Sequence, residues 1–162
     1  MNATRQFLKL MNNPVKVRLF LLSKIPAAFF SGVRIKNINE QECQVSVPYK
    51  WFSQNPFRST YFACLAMAGE MSTGALAMAH IYKKTPRVSM LVINMEASFV
   101  RRATGLTTFT CSDGERFENA ITETIRTGEA VTLTARSTGR NSGGEVIAEF
   151  VITWSFKSKA IA

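Results

Sequence analysis

The stretch from Asn55 to Ile81, NPFRSTYFACLAMAGEMSTGALAMAHI, constrains this chain more than any other. It reads as one helix that is apolar or small on every side, with a single carboxylate, Glu70, at its centre. A helix without a polar face is buried all round, so the remaining sequence has to wrap it. A loop, YKWFSQNPFRS, leads into the helical part, and Ser59 or Thr60 is the expected N-cap. Small residues such as Ala66, Gly69 and Gly74 let a neighbouring sheet come close. A carboxylate inside such a rod is costly to desolvate unless it is compensated. A chain that keeps one either pairs it or uses it.

The flanking segments supply the wrapping. Asn2 to Asn12 has helical spacing at Phe7, Leu10 and Met11, and Asn13-Pro14 reads as the N-cap and first-turn proline of a second short helix to about Ser23. On that helix Val15, Leu19 and Leu22 fall on one face. Core packing is the plainer reading of that face and docking on a membrane surface the sharper. From Gly32 to Pro48 the pattern alternates, predicting two strands joined by a turn at Asn37–Glu42. A long strand is expected over Val88 to Thr104, with Leu91, Ile93, Met95, Ala97 and Phe99 on one face, then a short one at LTTFTC. GERFENAITETIRTG reads as an amphipathic helix with Phe117, Ile121 and Ile125 in register. Two paired strands, EAVTLTARST and GEVIAEFVITWSF, close the chain around the turn GRNSGG.

Long strands joined by short turns give an antiparallel sheet, and one such sheet curled around one apolar helix is the economical packing solution. The expected class is α+β. A single domain over 1–162 is expected, with an N-terminal helical segment at 1–28 and a core at 29–162 carrying a helical insertion at 114–128. At 162 residues the chain buries enough surface to need no disulfide or metal staple.

Charge and cysteine usage narrow the function. The formal net charge is +9. Scattered lysine and arginine read first as solvated surface and second as attraction for a polyanionic ligand. With no aromatic-plus-basic stripe, no nucleic-acid partner is expected, and a membrane-surface role is not the preferred reading. Cys43, Cys64 and Cys111 are widely spaced in apolar surroundings, so no metal site and no disulfide framework are expected. No run reaches the ~20 apolar residues of a membrane span, and the start is a poor signal peptide. A reducing, cytoplasmic setting is the expectation.

At this point the residues resemble a known family. Asn55 to Gly74 is similar to the opening of the central helix in phenylacetyl-CoA-type thioesterases of the hotdog fold, whose pattern is an Asn, a Gly, then His-Gly-Gly, an acid on the helix and a Gly one turn on. Aligned without gaps, the Asn falls on Asn55, the acid on Glu70 and the last glycine on Gly74. EASFVRRATG resembles the family's central strand and GEVIAEFVITW its closing strand. The likeness covers about residues 33–157 and is closer still to an uncharacterised thioesterase-like hotdog branch that shares NPFRS. Arg58 stands at the first Gly position, and Tyr61, Phe62 and Ala63 stand at His-Gly-Gly.

The resemblance implies a hotdog fold, a homodimer or tetramer with the cleft between subunits, and a coenzyme A thioester as substrate, with no other cofactor. Glu70 is then the expected general base or nucleophile, and Asn55 orients water or carbonyl. The helix N-terminus at Tyr61, Phe62 and Ala63 forms the oxyanion side of the cleft, and Arg101 and Arg102 are candidates for gripping phosphates. Each has a plainer reading: Asn55 as a turn former before Pro56, Tyr61 as a wall residue, Glu70 as a paired structural group, the arginines as solvated strand-end charges, His80 as a helix cap or surface group. The functional expectation is an acyl thioester hydrolase, with a non-catalytic binder of an acyl chain or other hydrophobic ligand as the alternative.

Overall fold

The computed structural model describes residues 2–159; the expected domain limits at residue 1 and at 160–162 lie outside them. Three N-terminal helices, α1 (Ala3–Met11), α2 (Pro14–Lys24) and α3 (Pro26–Ser31), lead into strands β1 (Arg34–Ile38) and β2 (Cys43–Val47). Then come the central helix α4 (Phe62–Ile81), β3 (Val88–Phe99), β4 (Thr107–Cys111), α5 (Gly114–Thr127), β5 (Val131–Arg140) and β6 (Val146–Ser158). The six strands form one antiparallel sheet in the order β1-β2-β4-β5-β6-β3. α4 lies against its inner face beside α5, whose Phe117 and Ile121 are buried as the spacing predicts. This is the expected helix wrapped in a sheet.

Alternation along β6 explains the core. Ala148, Phe150, Ile152, Trp154 and Phe156 face inward and are buried, and Phe150 packs on Phe109 with ring centroids 5.5 Å apart. Gly69 makes the close approach of helix and sheet possible: a Cβ there would lie 2.6 Å from the Phe150 ring. Ser72 and Ser137 hydrogen bond across the same interface at 2.7 Å.

The structure corrects the expected helix start. α4 begins at Phe62 with Tyr61 as N-cap, and not after Ser59 or Thr60 as cap. The Thr60 N–H and hydroxyl both donate to the Ala103 carbonyl, at 2.8 and 3.2 Å, and Thr60 bridges Gln54, so those groups are committed to tertiary contacts. Nor is α4 buried all round. Phe62 and Met78 are exposed and Ala66 and Glu70 half-buried, leaving one open stripe along its length. Among the described residues α4 alone is long and apolar enough to cross a membrane, but 67% of its most apolar stretch is buried inside the protein.

Three further differences have local causes. β3 ends at Phe99 because the N–H groups of Val100 and Arg101 both turn to the Ile147 carbonyl, which stops the ladder. A bulge at Val92/Asn94 divides β3, so Met90 and Val92 face inward before it, Met95, Ala97 and Phe99 after it, and Leu91 and Ile93 outward. On α2 the core face is Val17 and Leu21, whereas Val15, Leu19 and Leu22 are exposed, which overturns core packing for that face.

Candidate active site

Glu70 sits at the middle of the open α4 stripe, where α1 and α2 roof the helix. Together they enclose a groove of about 340 Å³. Its walls are apolar, from Met11, Val17, Phe20, Leu21 and Ile25 of the roof to Met71 and Met78 of α4, Met90 of β3 and Trp154 of β6. Four of the chain's seven methionines line it. Glu70 is the one titratable group among the lining residues.

The Glu70 carboxylate makes no hydrogen bond or ion pair with any described residue, and burial raises its pKa above the ordinary carboxyl value. Gly74, one turn on, gives it room: a Cβ at that position would lie 3.1 Å from Glu70 Oε1. The turn carrying it is pinned to the sheet. Trp154 Nε1 donates to Thr73 Oγ1 at 3.0 Å, and that hydroxyl donates to the Glu70 carbonyl at 2.9 Å. The carboxylate is therefore neither sealed in nor neutralised by a partner.

The other expected site residues gather elsewhere. Asn55, Tyr61, Phe62, Arg101 and Arg102 line a second cleft of about 620 Å³, which shares no lining residue with the Glu70 groove. Ala63 is half-buried at the same helix terminus. Asn55 Oδ1 accepts from the Phe57 N–H at 2.9 Å and from the Ser59 N–H and hydroxyl at 3.2 Å, which makes Asn55 the organiser of its turn. Its amide nitrogen has no partner among the described residues. The N–H groups of Phe62 and Ala63 make no hydrogen bond there either, while those of Cys64 and Leu65 go to the Tyr61 carbonyl. Arg101 forms an exposed ion pair with Glu145 at 3.5 Å. The fold thus brings Asn55, Tyr61, Phe62, Arg101 and Arg102 together, and leaves Glu70 apart from them.

A third cleft, of about 650 Å³, was not anticipated. It joins the end of the groove through Met78 and Met90 and carries Lys83, Lys84 and Arg87. In the sequence these three are part of the general scatter of base; only the fold sets them beside the groove. His80 is buried rather than at the surface, its Nε2 donating to the Glu40 carbonyl at 2.9 Å, and burial lowers its pKa. All three cysteines are buried and free, and no group of three or more His, Cys, Asp or Glu among the described residues is placed to hold a metal.

Comparison with known proteins sets this arrangement in context. The fold matches a protein of unknown function from Pseudomonas aeruginosa, described as a probable thioesterase, with a TM-score of 0.75 at 23% identity over 90% of this chain and 97% of that one. It also matches a protein of unknown function from Chlorobaculum tepidum (TM-score 0.72, 14% identity, 90% and 97% covered). A thioesterase from Haemophilus influenzae matches with a TM-score of 0.64 at 13% identity, covering 86% and 88%. The architecture is thus the hotdog fold. Within it, the chain belongs to the family described as domain of unknown function DUF4442, whose sequence profile matches residues 17–156. No curated protein matches the sequence.

Proposed function

We propose that the protein hydrolyses an acyl thioester, with Glu70 as general base. The observation that carries this reading is an unpaired carboxylate, held at raised pKa, as the one titratable group of an apolar groove. The acyl chain lies among the methionine, leucine and isoleucine side chains. Glu70 takes a proton from a water as its oxygen attacks the carbonyl carbon. The tetrahedral oxyanion then collapses, the C–S bond breaks, and the thiolate leaves with the proton returned by Glu70, giving a free acid and a thiol.

The oxyanion donors come from a second copy. β3 is an edge strand with unpaired backbone groups and with Leu91, Ile93, Phe99 and Val100 exposed, a surface that calls for covering. A homodimer paired along this edge covers it and sets the helix terminus of one subunit, with its free N–H groups and the Asn55 amide, towards the Glu70 of the other. For a coenzyme A thioester, Lys83, Lys84 and Arg87 replace Arg101 and Arg102 as the phosphate grip, because their cleft continues the Glu70 groove.

Incubation with a panel of acyl-CoAs and a thiol reagent tests the reading. Release of free thiol that falls to background in Glu70→Ala is expected, and turnover undiminished in that variant removes the assignment. Non-catalytic binding of an acyl chain is the second reading, favoured by the separation of base and donors within one protomer; co-purified ligand without hydrolysis of any thioester tried would select it.

A further inference from the structure

The outer face of α2 has no role in the groove chemistry. α2 is apolar on both sides: Val17 and Leu21 point into the core, while Val15 and Leu19 point to solvent at 66% and 62% exposure, with Leu22 beside them. The apolar surface does not end there. The Arg18 guanidinium lies 3.7 Å from the centre of the Phe29 ring. From Phe29 a string of rings runs through Phe30 at 5.2 Å, Phe52 at 5.7 Å and Trp51 at 6.2 Å between successive centroids. Trp51, at the end of this string, is 81% exposed.

The charge of this region is one-sided. Residues 1–39 hold seven of the twenty lysines and arginines and none of the eleven acids; the first acid in the chain is Glu40. Lys16 and Lys24 stand on α2 itself, and Lys50 precedes Trp51; all three are exposed. A second copy laid on this face would set cations against cations, which opposes self-association. A nucleic acid would use the cations and leave the apolar stripe and exposed Trp51 without purpose. A bilayer bearing anionic headgroups uses both, since interfacial helices combine an apolar face with flanking Lys and Arg.

We infer that the α2 face, continued by Phe30, Phe52 and Trp51, docks the protein on an anionic phospholipid surface. The position of the groove fits this orientation. Phe20 and Ile25 line the groove and are themselves exposed, so its mouth opens beside the docking face. Delivery of an acyl chain through that mouth rests on the hydrolase reading; the docking does not.

The test is co-sedimentation of the full chain with phosphatidylcholine vesicles, with and without phosphatidylglycerol, and without any thioester. Binding to the mixed vesicles, weak on pure phosphatidylcholine and lost at high salt, is expected. Lys16→Gln with Lys24→Gln lowers the partition coefficient roughly 25-fold, a factor of about five for each cation removed. Leu19→Glu abolishes binding with an unchanged circular dichroism spectrum; if it does not fold, the lysine pair, at exposed positions, carries the test. Three results overturn the inference: no binding to mixed vesicles at low salt, binding unaltered in both variants, or a duplex nucleic acid bound equally by wild type and Leu19→Glu while vesicles bind neither. Because no substrate is present, failure of the hydrolase reading leaves the outcome unaffected.

Discussion

Replacing Glu70 by Gln keeps the shape of the side chain and removes its charge, and the structure fixes the sign of the effect on stability. Had the carboxylate been held in a buried ion pair, removing one partner would cost about 3–5 kcal/mol. It has no partner, so there is no such penalty. Its pKa in the folded protein is raised by burial. Below the ordinary carboxyl value, folded and unfolded chains both carry the proton and the group costs nothing. As pH rises past that value the unfolded chain loses the proton first, the folded chain holds more protons, and stability falls with pH until the raised value is passed. The loss is about 1.4 kcal/mol for each unit of elevation. Glutamine has no such dependence. For a chain of this size that corresponds to a melting point roughly 3–5 °C above wild type per unit of elevation near neutrality, and to no difference well below the ordinary carboxyl value. Thermal melts of both proteins across that pH range read it directly. The same substitution lowers hydrolysis by about 10²–10⁴-fold, the usual worth of a general base, and wild-type activity rises with pH as Glu70 ionises. A Glu70→Gln protein less stable than wild type at neutral pH, or a stability difference independent of pH, would refute an unpaired, desolvated carboxylate.

The same geometry makes three further outcomes testable. Leu21→Ala, at a fully buried position in the groove roof, should destabilise the protein by about 2–5 kcal/mol in chemical denaturation. Leu91→Lys on the outward side of β3 should shift the proposed dimer to monomer in analytical ultracentrifugation and reduce turnover with it. Lys84→Glu combined with Arg87→Glu should raise KM for acyl-CoA at least tenfold with kcat little changed, and spare a thioester that carries no phosphates. Equal loss on both substrates would show that the cleft does not hold the phosphates.

The sequence displays those parts of the fold that depend on a period within one segment. β5, β6 and α5 are legible because each buries one face against the sheet or helix, and the alternation or 3.6-residue spacing survives. Glu70 is legible as the charged exception in an apolar run. What is hidden depends on pairing between distant segments. The start of α4 is set by Ala103 and Gln54, which draw Thr60 out of the helix. The Val92/Asn94 bulge reverses the inward face of β3, so one alternating run serves two faces. α3, with six residues, is too short to show a period. The outward face of α2 carries the same residue types as its inward face, so hydrophobicity alone assigns both to the core. Glu70 and Asn55 are aligned in the family pattern, yet they line different clefts, because sequence spacing does not state which cleft each end of a segment opens onto.

The sulfur atoms around Glu70 set how selective the groove is and what endangers it. Unbranched thioether side chains rearrange at little cost, so Met11, Met71, Met78 and Met90 form a wall that conforms to its guest, favouring tolerance of chain length and branching over a rigid ruler. That softness brings a vulnerability to peroxide: conversion to sulfoxides replaces greasy surface with dipoles, and a groove with an otherwise intact scaffold would lose its grip on an apolar guest until a reductase restored it.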